Sequence, residues 1–170
     1  MKTYHILSLA AGLIASTGFV SRALAASVKT NDAVTVIFQD PDNFTDAKES
    51  RSNFTSTASL EELRDYVQET AAPLIPHDSK LTVTFIDLDF AGMIRPDKDN
   101  IRVMTGVTPP RAHLKFQLVD AAGKTLKEGE RRLSDMNYQQ TIRVQGRNDP
   151  HVYDKQLLRD WLEKEFTRTN

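Results

Sequence analysis

The feature that most constrains the fold is the run Leu81-Thr82-Val83-Thr84-Phe85-Ile86-Asp87-Leu88-Asp89-Phe90-Ala91-Gly92. Leu81, Val83 and Phe85 alternate with threonines, which is the period of a strand, and the β-branched and aromatic content agrees. From Ile86 the phase changes. Ile86, Leu88 and Phe90 carry the apolar set on the other parity, and Asp87 and Asp89 fall where Leu81, Val83 and Phe85 would have continued. Two arrangements fit: a strand buried on both faces whose acids emerge at its end, or a bulge near Phe85–Asp87 that re-aims the side chains. Gly92 marks the exit, where a residue without Cβ accepts unusual backbone angles.

Two carboxylates at the end of a buried strand need partners, because ionised acids are costly to bury without cations or N–H donors. Arg95, Arg102, Arg111, Arg131 and Arg132 are the cations within reach along the chain. Three readings of Asp87 and Asp89 stay open: a structural ion-pair cluster holding a loop, an acid/base pair or metal site, or two solvated acids.

Val34-Thr35-Val36-Ile37-Phe38 reads as a first strand closed by Asp40-Pro41-Asp42, a turn signal. Phe44 and Phe54 read as plugs tying the loop that follows onto the core, and the sequons at Asn43 and Asn53 as turn chemistry. Ser59-Leu60-Glu61-Glu62 has the form of a capping box. Behind it Leu60, Leu63, Val67 and Ala71 line one helical face, with Glu61, Arg64, Asp65 and Gln68 outside and a stop near Ala72, before Pro73. After Gly92 the segment Arg95 to Asn100 reads as irregular; its acids fail the calcium-loop spacing. Ala112 to Leu118 alternates cleanly, with His113 on the polar parity. Asp120-Ala121-Ala122-Gly123 turns the chain into Lys124 to Leu133, a charged edge strand with a bulge expected at Gly129. A short strand is expected at Thr141–Val144. A last helix is expected from Asp149-Pro150, acid at the N-cap, burying Tyr153, Leu157, Leu158, Trp161, Leu162 and Phe166 and leaving Lys155, Arg159, Asp160 and Lys164 outside. The fold class is therefore α+β: one two-layer domain over 26–170, a mixed or antiparallel sheet of four to five strands with two helices packed on one face.

Residues 1–25 read as a secretory signal: Lys2 and His5, an uncharged apolar run from Ile6 to Val20, and the small-x-small site Ala23-Leu24-Ala25. The run is shorter than the ~20 residues of a bilayer span, so no transmembrane segment is expected once the signal is removed. There is no cysteine, and export without disulfides suits a bacterial periplasm. From Ala26 to Asn100 there are about seven more acids than bases, and from Ile101 to Asn148 about five more bases than acids. That imbalance is too small to point to nucleic acid.

Phosphate loops, nucleophile elbows, paired metal-ligand histidines and cysteine nucleophiles are absent from the sequence. Outside the signal the histidines are His77, His113 and His151, so a histidine triad requires distant segments to converge. No cofactor, no metal and no catalytic residue is expected. Three functions compete. The favoured one is a non-catalytic domain, a monomer, that binds or scaffolds an unidentified envelope component. The second is a small hydrolase or transferase using Asp87 and Asp89 beside Arg111 and Asp135. The third is binding of an anionic lipid or polysaccharide by Arg102, Arg131, Arg132 and Arg143, with Arg111.

Five segments together resemble an uncharacterised family of exported bacterial proteins, domain of unknown function 3016. They are Val34-Thr35-Val36 with Phe44-Thr45-Asp46, Asp87 through Gly92, Pro109-Pro110-Arg111, Leu133 through Tyr138, and Tyr153 through Trp161. After Ala91-Gly92, where an acid is expected, this sequence has Met93. The resemblance covers nearly all of 26–170 and implies secretion and one domain. It implies no activity, so it assigns no functional residues.

Overall fold

The computed structural model describes residues 33–48, 55–140 and 149–167. Its strands are β1 (Val34–Phe38), β2 (Lys80–Asp89), β3 (Met93–Arg95), β4 (Ile101–Val103), β5 (Arg111–Val119) and β6 (Thr125–Ser134). Helix α1 (Thr57–Ala71) joins β1 to β2, and α2 (Val152–Phe166) closes the fold. Four strands form one mixed sheet in the order β1-β2-β5-β6, with β1 parallel to β2 and the other pairs antiparallel. A parallel pair needs a crossover, and α1 supplies it. The fold is α+β.

The change of phase in β2 is a bulge. Its register against β5 shifts between Phe85 and Asp87. Leu81, Val83 and Phe85 point into the core before the shift, and Leu88 and Phe90 after it. One extra residue on β2 thus keeps the apolar side chains on the helical face across an odd spacing. Leu60, Leu63, Val67 and Ala71 of α1 and Leu158, Trp161, Leu162 and Phe166 of α2 share one core with this face of β1, β2 and β5. Trp161 and Phe166 lie against Phe116 at centroid distances of 5.9 and 5.5 Å.

Both helix starts differ from expectation. α1 is capped by Ser56, whose side chain accepts from the Ser59 N–H at 3.1 Å, so the helix begins before the Ser59–Glu62 box and Ser59 lies inside its first turn. Arg64 and Gln68, expected outside, are buried. The reason is the free edge of β1: Gln68 Nε2 donates to the Val34 carbonyl at 2.9 Å, and the Arg64 guanidinium covers the Phe38 ring. α2 starts at Val152 rather than beside Asp149. The Asp149 carboxylate instead accepts from the His151 N–H (2.8 Å) and from Lys155 Nζ (2.6 Å). Lys155, also expected outside, is buried because Asp149 and Glu62 both bind its ammonium.

The stretch after Gly92 is ordered as the β3–β4 hairpin, not irregular. Three-residue strands are too short to show a period. Gly123 turns β5 into β6 at φ 81°, as Asp120–Gly123 promised. The bulge of this hairpin, however, falls at Leu118–Val119 and not at Gly129. Gly129 faces Phe116 across the ladder, and a Cβ there would sit 3.1 Å from the Phe116 ring. β6 is an edge strand, as its polarity implied. The expected strand at Thr141–Val144, with Arg143, lies outside the described residues, as does Phe54.

Candidate functional site

The end of β2 is tied down from two sides. Asp87 accepts from the Thr45 N–H and the Thr45 hydroxyl, both at 2.7 Å, so its two oxygens anchor the chain after β1. That chain runs parallel to the end of β2: Asp46 N–H donates to Leu88 O, and Phe90 N–H to Asp46 O. Asp89 lies opposite Arg111 in the β2–β5 register and pairs with it at 3.1 Å. Burial pushes the Asp89 carboxyl above its ordinary range; Arg111 opposes this, while the charges of Asp46 and Asp87 add to it. Asp135 follows Ser134, the residue across from Arg111. Its carboxylate accepts from the Asn137 N–H at 2.9 Å, within its own turn.

Among the described residues the candidate arginines do not form one patch. The Arg102 side chain is largely enclosed, with both terminal nitrogens on the Asp46 carboxylate (2.9 and 3.0 Å) and one on the Lys48 carbonyl (2.8 Å). Asp46 is the member of this cluster that reasoning from the β2 acids alone missed. Its signal was the Phe44-Thr45-Asp46 segment. Arg131 lies opposite Leu114 on the helical face, where Glu165 of α2 holds it through two 2.9 Å bonds. Arg132, one residue on, lies opposite His113 and is exposed. Strand alternation thus sends neighbouring arginines to opposite faces.

That second face of the sheet carries no helix among the described residues. Thr82 and Thr84 of β2, Lys115 and Gln117 of β5, and Glu128 and Glu130 of β6 line a shallow depression of about 450 Å³ on it. Cross-strand pairs order its charges. His113 Nε2 meets Glu130 at 2.6 Å, Lys115 Nζ meets Glu130 at 3.7 Å, and Gln117 Nε2 donates to Glu128 at 3.3 Å. The His113 contact, with weaker help from Lys115 and Arg132, outweighs desolvation and holds the Glu130 carboxyl below the usual range.

A third constellation joins the two helix starts. His151 Nε2 lies 2.8 Å from the Ser59 hydroxyl, 92 residues earlier in the chain. His151 Nδ1 faces Asp154 Oδ2 at 3.7 Å, and the other Asp154 oxygen accepts from the Ala91 N–H at 3.0 Å. Ser59, His151 and Asp154 are 7%, 6% and 6% exposed. The distant segments that a histidine triad required do converge here. The only local hint was the i, i+3 spacing of His151 and Asp154. Among the described residues no group of three or more His, Asp or Glu is placed to hold a metal ion, and no helix is long and apolar enough to cross a membrane.

A mixed sheet with two helices on one face and a polar second face defines a two-layer α+β domain. The chain belongs to the family described as Protein of unknown function (DUF3016), whose model matches residues 32–164. No curated protein matches it. Among solved structures it is similar to the PelC dodecamer from Paraburkholderia phytofirmans, at 10% identity and a TM-score of 0.41, over 81% of this chain and 89% of that one.

Proposed function

We propose that the protein is an exported, periplasmic domain that binds or scaffolds a component of the cell envelope through the open face of its sheet, as a monomer. The observation that supports this is the second face of β2, β5 and β6, left uncovered by α1 and α2 and furnished with cross-strand charge pairs around a depression. Charges ordered in this way select a partner by geometry rather than by net charge. Export rests on the features of residues 1–25.

The test is capture from envelope extracts by residues 26–170, compared with a Thr84→Ala/Lys115→Ala/Gln117→Ala variant that melts like the wild type. Selective capture that the variant loses supports the reading; equal capture by both sinks it. Cell fractionation with N-terminal sequencing tests export, and a mature chain beginning at Ala26 in the periplasmic fraction is the expected result.

The other readings have less behind them. Asp87 and Asp89, the acids of a hydrolase or transferase, each have a structural partner in Thr45 and Arg111. An anionic lipid or polysaccharide surface would draw on Arg102 and Arg131, which Asp46 and Glu165 engage. That reading stands only if vesicle or polysaccharide binding falls steeply with salt.

A further inference from the structure

We infer that Ser59 is a nucleophile activated by His151 and oriented through Asp154, able to accept a small acyl or phosphoryl group. The inference is independent of the open sheet face. The Ser59 hydroxyl is within hydrogen-bonding distance of His151 Nε2, at 2.8 Å, the reach a general base needs. The Ser59 hydroxyl donates to the Ser56 oxygen, 2.9 Å away, so the reaction requires it to turn its proton from Ser56 to the ring. Ser59 sits in the first turn of α1, at the positive end of the helix dipole.

A purely structural staple between helices would need only the Ser59–His151 bond. It would not account for a buried ring nitrogen and a buried carboxylate oxygen facing each other without partners: His151 Nδ1 and Asp154 Oδ2 are both unpaired, 3.7 Å apart. Buried polar groups are normally satisfied, and leaving two open is costly. When His151 takes the serine proton, its Nδ1–H becomes a charge-assisted donor to that oxygen. The contact is thus stronger in the transition state than at rest, which is the condition for lowering a barrier. The Ala91 N–H holds the far side of Asp154, and the Phe90 ring packs on His151 at 4.6 Å. Asp154 is therefore a positioning residue.

In the step itself the Ser59 oxygen bonds to the carbonyl carbon of an ester, and its proton passes to His151 Nε2. The proton then leaves with the alcohol as the ester C–O bond breaks, and water releases the acyl group by the same route. The small exposure of Ser59 restricts the substrate to compact esters.

The experiment is labelling of the folded wild-type protein with a small fluorophosphonate, well below its melting transition, followed by intact mass and peptide mapping. Here the serine oxygen bonds to phosphorus and fluoride leaves. The expected result is one adduct, on Ser59, absent in Ser59→Ala, at least about a hundredfold slower in His151→Gln, and slowed in Asp154→Asn. Free imidazole should restore labelling of His151→Ala, an effect that lost packing would not produce. No adduct on Ser59 in the wild type, or equal rates in wild type and His151→Gln, overturns the inference.

Discussion

At the scale of single residues, the acids and arginines that stand out in the sequence are used to fasten chain to chain. Arg102 illustrates the cost of losing one. Its guanidinium is buried with Asp46 and with the carbonyl of Lys48, so Arg102→Ala strands a carboxylate that keeps only a little water. The expected loss is roughly 3 kcal/mol in urea unfolding, the low end for a broken buried pair; a loss below about 1 kcal/mol would mean the pair behaves as a surface pair. Asp89 carries a pH signature. Burial raises its carboxyl, so the folded chain binds this proton more tightly than the unfolded chain does. The contribution of Asp89 to stability therefore falls as pH rises through and above the ordinary carboxylate range. Asp89→Asn removes that titration, so the variant should gain on the wild type as pH rises through and above the ordinary carboxylate range. Parallel stability curves for the two proteins would contradict it.

At the scale of elements, what was legible in the sequence followed from periodicity, and what was not depended on partners distant in the chain. The β2 run showed a change of parity that fitted either a bulge or a strand buried on both faces, which the register against β5 resolves as a bulge, and the Trp161 stripe showed its helix. The true cap of α1 was hidden because Ser56 and Ser59 both offer a capping hydroxyl, and only packing selects Ser56. Arg64, Gln68 and Lys155 look solvated by helical phase, yet each is drawn inward by a group on another element: the Phe38 ring, the Val34 carbonyl, and Asp149 with Glu62. The Asp46–Arg102 pair spans 56 residues and Ser59–His151 spans 92, beyond any local pattern. The turn from β2 to β3 gives a sharper test. Gly92 has φ 82°, and a Cβ there would lie 2.7 Å from the Val103 carbonyl oxygen. Gly92→Ala combines left-handed strain with a backbone clash and should cost about 2 kcal/mol or more; a melting temperature equal to that of the wild type would contradict the close approach.

At the scale of the molecule, α2 is the last element among the described residues and one of the two helices that pack on the sheet. It brings Leu158, Trp161, Leu162 and Phe166 to the core shared with β1, β2, β5 and α1. A chain ending before Tyr153 leaves that face of the sheet in water, and it should show no cooperative thermal transition by circular dichroism; a sharp transition near that of the full chain would contradict the shared core. With both helices on one face, the opposite face of β2, β5 and β6 is left uncovered among the described residues, and it is the face proposed to bind.

That division of faces is tested most directly inside the cell, by placing a photo-crosslinking amino acid at Lys115 on the open face or at Arg159, exposed on the outer side of α2. The expected result is a discrete crosslinked envelope species from position 115 and none from position 159. Crosslinking from 159 alone, or the same products from both positions, would contradict a binding face on the sheet.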